Sequence, residues 1–102
     1  MSLRLLDEAK EELRESAHWY EQKRDGLGDD FVSSVERALE IIETRPRQFT
    51  QMNVGSKGRE VRRCVLKRFP YLIIFEILSE EILVVAIAHS KRKPRYWKTR
   101  LQ

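Results

Sequence analysis

The feature that most constrains this chain is the stretch Tyr71 to Leu78, where Tyr71, Ile73, Phe75 and Ile77 alternate with Leu72, Ile74, Glu76 and Leu78. Apart from Glu76, such a strand is apolar on both faces, so it belongs inside a sheet that is covered on both sides. Val61 to Leu66 precedes it across Lys67 to Pro70, and Ile82 to His89 follows it across Ser79 to Glu81. Connections this short imply antiparallel neighbours and hence a three-stranded meander. A basic segment, Ser90 to Arg100, follows the last strand.

The cover is legible upstream. Ser2 to Leu6 alternates and is predicted as a short strand. Asp7 is the expected N-cap of a helix from Glu8 to Arg24, in which Ala9, Leu13, Ala17 and Tyr20 form one apolar stripe. Glu8, Glu11, Glu12 and Glu15 lie toward its positive end and are expected to act as ordinary helix stabilisers. Gly26 and Gly28 mark a tight reversal. Phe31, Val35, Ala38, Leu39 and Ile42 then define a second helix from Asp29 to Thr44, stopped near Pro46. The two helices form an antiparallel hairpin, with Trp19 and Phe31 expected on the face that meets the sheet. Arg47 to Gly58 shows no period and is predicted to be a loop. The expected fold is α+β: a short N-terminal strand and a helical hairpin packed on a three-stranded antiparallel sheet, as a single domain over residues 1–102.

The apolar runs are far shorter than the roughly 20 residues of a membrane helix, so no membrane role is expected. A lone cysteine, Cys64, and the absence of zinc-like Cys/His spacing point to a cytoplasmic protein with no metal and no cofactor, with Cys64 an apolar filler. Charge is divided along the chain. Residues 1–44 carry 6 Lys/Arg against 12 Asp/Glu, whereas residues 45–102 carry 14 against 4. A basic β half suits a polyanionic partner, although charge alone licenses only nonspecific attraction.

No nucleophile elbow or nucleotide-binding fingerprint is present. What remains is a basic and aromatic constellation around the last strand. Metal-independent RNA cleavage requires a base for the 2′-hydroxyl, an acid for the leaving oxygen and cations for the phosphorane. His89, Tyr96 and Glu76 are able to exchange protons, while Arg92 with Arg62 or Arg63 is able to supply charge and bidentate phosphate contacts. The candidate catalytic set is therefore Arg92, His89, Tyr96 and Arg62. Arg63, Arg68, Lys91, Trp97 and Arg100 form a candidate target- or nucleic-acid-binding set, with aromatic surfaces suited to stacking. The competing structural readings are a hydrogen-bonded His89 at a strand end, Glu76 paired with a basic neighbour, and Tyr96 and Trp97 as cover for the sheet.

Trp19, Tyr20 and Glu21, then Gly26, Leu27, Gly28 and Phe31, Pro46, Val61 to Arg63, Arg68 to Tyr71, and His89, Arg92, Pro94, Tyr96, Trp97 and Arg100 follow a familiar order and spacing. Together they resemble the RelE/ParE toxin superfamily, in particular the branch called plasmid-stabilisation proteins. The resemblance implies the toxin of a bacterial type II toxin–antitoxin module, with a cognate antitoxin as partner and DNA contacted only indirectly through the antitoxin complex. It also implies two possible modes of growth inhibition. RelE-like members cleave mRNA on the ribosome, without metal, using basic residues and a C-terminal tyrosine; ParE-like members bind DNA gyrase and are not nucleases. Arg92 matches the basic position after the last strand, and Tyr96 lies close to the RelE tyrosine. Leu72 stands where RelE carries a middle-strand arginine. The alternative is a nontoxic binding module whose basic sheet docks an acidic partner. A groove with an apolar floor and a basic rim is expected on the sheet face opposite the helices, suited to an antitoxin segment that orders on binding.

Overall fold

In the computed structural model, which describes residues 1–101, Tyr71–Ile77 (β4) lies at the centre of the sheet, as its two apolar faces require. Val61–Val65 (β3) and Glu81–His89 (β5) flank it antiparallel, forming the expected meander. The sheet extends one strand further on each side. Ser2–Leu5 (β1) pairs parallel with β5, and Thr50–Met52 (β2) pairs antiparallel with β3, giving the order β1-β5-β4-β3-β2. The expected three-stranded sheet is thus the middle of a five-stranded mixed one. β2 falls in the stretch predicted to be a loop, because three residues are too few to show a period and only pairing with β3 makes them a strand.

Asp7–Lys23 (α1) and Leu27–Thr44 (α2) pack on one face, where Phe31, Val35 and Ile42 meet Ile73, Phe75, Val84 and Ile87. Asp7 is the first helical residue rather than the cap. Leu6 occupies the cap with extended backbone, its N–H bonded to the Val84 carbonyl at 3.0 Å, so β1 runs straight into α1. α2 begins earlier than the apolar period suggests. Gly26 turns the chain with φ +86°, and the Glu21 carboxylate accepts from the Gly26 and Gly28 N–H groups, both at 3.0 Å. That side chain supplies acceptors for donors that a helix start leaves open. At Gly28 a Cβ would stand 2.6 Å from the Ala17 carbonyl oxygen, so the close approach of the two helices requires glycine.

Phe31 is fully buried, as expected, within an aromatic group that includes Tyr20, Phe69 and Tyr71. Trp19 is not. It is 54% exposed, because it precedes Tyr20, a partly buried residue packed against the core, by one position and so points about 100° around the helix. There it meets Tyr20 edge-on and lies under the Lys23 ammonium, 4.6 Å from the ring centre.

The opposite face of the sheet has thinner cover. Val61, Ile74, Val85 and Ala86 pack against Val54 and against Trp97, which is carried by a 3₁₀ turn at Tyr96–Arg100. Pairing between β4 and β5 shifts register between Ile74 and Phe75, leaving Val85 as the extra residue of a bulge.

In denaturant unfolding, Phe31→Ala is expected to cost about 3–5 kcal/mol, the range for buried aromatic truncation. Trp19→Ala is expected to stay below about 1.5 kcal/mol, the upper end for an aromatic pair contact. Equal losses at both positions would contradict this division between core and surface.

Candidate target-binding site

The bulge at Val85 sets the geometry of the site. β1 covers the outer edge of β5 only as far as the Leu6–Val84 hydrogen bond, and beyond it side chains replace a strand. The Ile87 N–H donates to Glu12 Oε1 at 3.0 Å, and Arg100 Nη1 donates to the Val85 carbonyl at 3.0 Å. Arg100 also holds Glu12 with both terminal nitrogens, at 2.9 and 3.0 Å. Arg92 Nη1 reaches the same carboxylate at 3.2 Å, and the Tyr96 hydroxyl donates to it. Glu12 therefore ties helix α1 to the bulge and to the C-terminal segment. It is only 12% exposed. The expectation that it merely stabilises its helix is corrected; the available signal was its position three residues after the buried Ala9, on the inner flank of α1.

Around this hub the chain after β5 folds back over the sheet and leaves a groove of about 290 Å³. Leu72, Ile74 and Trp97 lie along its floor, and Arg63, His89, Arg92, Lys93 and Arg95 line its sides. The expected apolar-floored, basic-rimmed groove is therefore present, narrowed by Trp97 and Tyr96. Arg63 is exposed and pairs with no side chain among the described residues. The Arg92 guanidinium lies 3.6 Å from the centre of the Tyr96 ring. His89 Nδ1 accepts from the Lys91 N–H at 3.0 Å, which leaves the ring proton of the neutral form on Nε2. Its ring meets Tyr71 edge-on.

Tyr96 reaches the groove but directs its hydroxyl proton to Glu12. Burial first, then the Glu12 hydrogen bond and charge, push its pKa well above the ordinary phenol value, against the pull of Arg92 and Arg100. At Arg100 burial acts to lower the pKa, but the Glu12 hydrogen bonds and charge outweigh it and the pKa rises. Trp97, 3% exposed, covers the sheet rather than offering a stacking surface.

Other predicted residues lie elsewhere. Arg62 faces the helix side, where it donates to the Phe49 carbonyl at 2.6 Å and to Glu60 at 3.0 Å, fixing the segment before β2 to β3. Arg68 bonds Asp30 at 3.0 Å near the helical hairpin, and Lys91 is exposed just after β5. Glu76, 6% exposed, is paired with Arg59 at 3.1 Å, as the structural reading expects, and does not line the groove.

A second cleft, of about 450 Å³, lies between α2 and the end of β3 that β2 does not cover. Ile41 and Val65 stand at its mouth, 47% and 63% exposed, with Cys64 and Leu66 behind them. Burial pushes the Cys64 thiol pKa up, in keeping with a filler.

A helical hairpin on one face of a mixed sheet is the architecture that the RelE/ParE resemblance implies. The family model for the ParE toxin of the type II toxin–antitoxin system, parDE, matches residues 3–94, and the chain belongs to that family. A solved chain of the chromosomal ParDE TA system from P. aeruginosa has the same fold, with a TM-score of 0.70 at 18% identity over 89% of this chain and 97% of that one. No curated protein matches. Among the described residues no helix is long and apolar enough to cross a membrane.

The structure also makes a pH prediction. The Arg47 hydrogen bond first, then the Arg62 bond and both arginine charges, lower the Glu60 pKa despite burial. A carboxyl whose folded pKa is depressed adds stability above its unfolded value, about 4.3, and loses that stability as pH falls through the folded value. Thermal unfolding is expected to show this acid-side loss in the native protein and a shallower one in Glu60→Gln. Identical pH profiles would remove Glu60 from the account.

Proposed function

We propose that this ParE-family toxin arrests growth in the cytoplasm by binding DNA gyrase through the groove between Arg63 and Arg92, without cutting RNA. The observation that carries this reading is the fate of the tyrosine proton. A metal-independent ribonuclease requires one group to take a proton and another to give one at the phosphate. Tyr96 holds its proton against Glu12 with a raised pKa, and Arg62 is occupied by Glu60 and the Phe49 carbonyl. Leu72 is apolar. His89 and Lys93 are left as the groove's proton-exchanging groups, with the tyrosine proton committed to Glu12 and no middle-strand arginine beside them. By contrast, an apolar floor flanked by cations suits a protein surface with an apolar anchor and acidic surroundings, and its field accelerates encounter at low salt.

The experiment pairs a gyrase supercoiling assay with mapping of mRNA ends in a translating extract. Inhibited supercoiling with intact mRNA is expected, and Arg63→Glu is expected to weaken inhibition about tenfold, equivalent to about 1.4 kcal/mol. Specific mRNA cleavage with gyrase unaffected would overturn the proposal. Absence of growth arrest on expression would favour a nontoxic docking module.

With the sheet-face groove taken by the target, the antitoxin segment expected there is proposed instead to lie in the α2–β3 cleft, where an acidic chain with apolar anchors neutralises the toxin. Ile41 and Val65 offer exposed apolar contact there, beside the cations of Arg37, Lys67 and Arg68. Free antitoxin at about 100 times Kd is expected to stabilise the toxin by about 2.7 kcal/mol. Ile41→Asp is expected to remove most of that stabilisation while leaving growth arrest intact; undiminished stabilisation would move the antitoxin to another surface.

A further inference from the structure

We infer that Glu12, on a helix that does not line the groove, is a positioning residue for target binding because it holds Arg92 in place at the groove rim. The inference rests on the reading of that groove as the target site. Arg92 follows the end of β5 on an exposed turn, and its side chain is 52% exposed. A free arginine there would sample many rotamers and lose that freedom on binding. Instead, its guanidinium lies over the Tyr96 ring at 3.6 Å and one terminal nitrogen bonds Glu12 at 3.2 Å. The stacking and the hydrogen bond fix the side chain without burying it, so donors remain for an acidic partner.

Glu12 is suited to this because it is itself immobilised. The Ile87 N–H and both terminal nitrogens of Arg100 hold the carboxylate, and Arg100 is anchored in turn on the Val85 carbonyl. At 12% exposure the carboxylate is also shielded from the screening that weakens surface pairs. One negative charge between two arginines leaves the cluster net positive. An incoming carboxylate therefore meets a cation whose position has been set before encounter, the condition under which binding loses least to ordering.

The test is a double-mutant cycle on Glu12→Gln and Arg92→Ala, with Arg92→Lys as a third variant. Glutamine retains an acceptor for the Ile87 N–H and removes the charge that holds Arg92. Potency is read twice, as the concentration that halves gyrase supercoiling and as the inducer level that halves growth. Thermal unfolding and the ¹⁵N NMR signal of the Arg92 Nε–H are recorded alongside. Each single change is expected to weaken potency about tenfold, and the double variant to be no weaker than the Arg92→Ala single. Arg92→Lys is expected to behave like Arg92→Ala, because an ammonium cannot stack flat and hydrogen-bond sideways at once. The Arg92 Nε–H signal is expected to be distinct in the native protein and averaged in Glu12→Gln. Additive losses of about a hundredfold in the double variant, or Arg92→Lys at native potency, would overturn the inference. If Glu12→Gln does not fold, the half-exposed Arg92 variants decide by the same lysine criterion. The growth readout does not depend on gyrase being the target, so failure of the gyrase proposal and failure of the Glu12 inference are read separately.

Discussion

The structure depends on β4 being apolar on both faces. A strand of this kind is stable only when water is excluded from both sides, and burial of apolar surface contributes about 25 cal/mol per Å². A chain of 102 residues has little with which to do this. The helical hairpin covers most of one face, whereas the other has Trp97, Val54 and a short 3₁₀ turn. That inequality creates the functional surface. Where the thin cover ends, Leu72 and Ile74 meet a groove, and the basic segment that supplies the cover also supplies the groove's charges.

The arginines divide by what each one meets. Arg62 and Arg100, 14% and 15% exposed, are held by carboxylates and backbone carbonyls and contribute to the architecture. Arg63 remains exposed. Exposed pairs such as Arg14 with Glu11 or Lys10 with Asp7 lie on the outer helix surface, where solvent screening leaves ion pairs little net effect. The field presented to a partner is therefore set by the few cations that the folded protein leaves without a close anion. The sequence total does not measure it.

One fold supports both binding and cutting toxins, so fold and family establish the toxin class while the available protons bear on the chemistry. In this chain the tyrosine closest to the groove is bonded to a carboxylate on the opposite layer. The same carboxylate completes the edge of β5 beyond the point where β1 ends. Architecture and chemistry thus share one residue. A substitution at Glu12 would alter the edge of β5 and the groove together.

The sequence by itself determined the elements whose signal is local and periodic. The two helices, the meander and the short first strand follow from apolar spacing, and the Phe31 core position follows from its helical stripe. The basic rim followed from composition near the last strand. Tertiary structure decided what depends on contacts between distant residues. β2 is a strand only because β3 lies beside it, and Trp19 is exposed because one position along a helix turns a side chain about 100° away from its neighbour. Arg62 and Arg63 are adjacent in sequence yet separate into a structural and a free cation, because successive residues of a strand face opposite sides. Glu12 reads as one acid among several on a helix; only folding brings Ile87, Arg92, Tyr96 and Arg100, more than 70 positions away, to its carboxylate. Periodicity records which side of an element is buried, and it contains no information about which distant partner waits there.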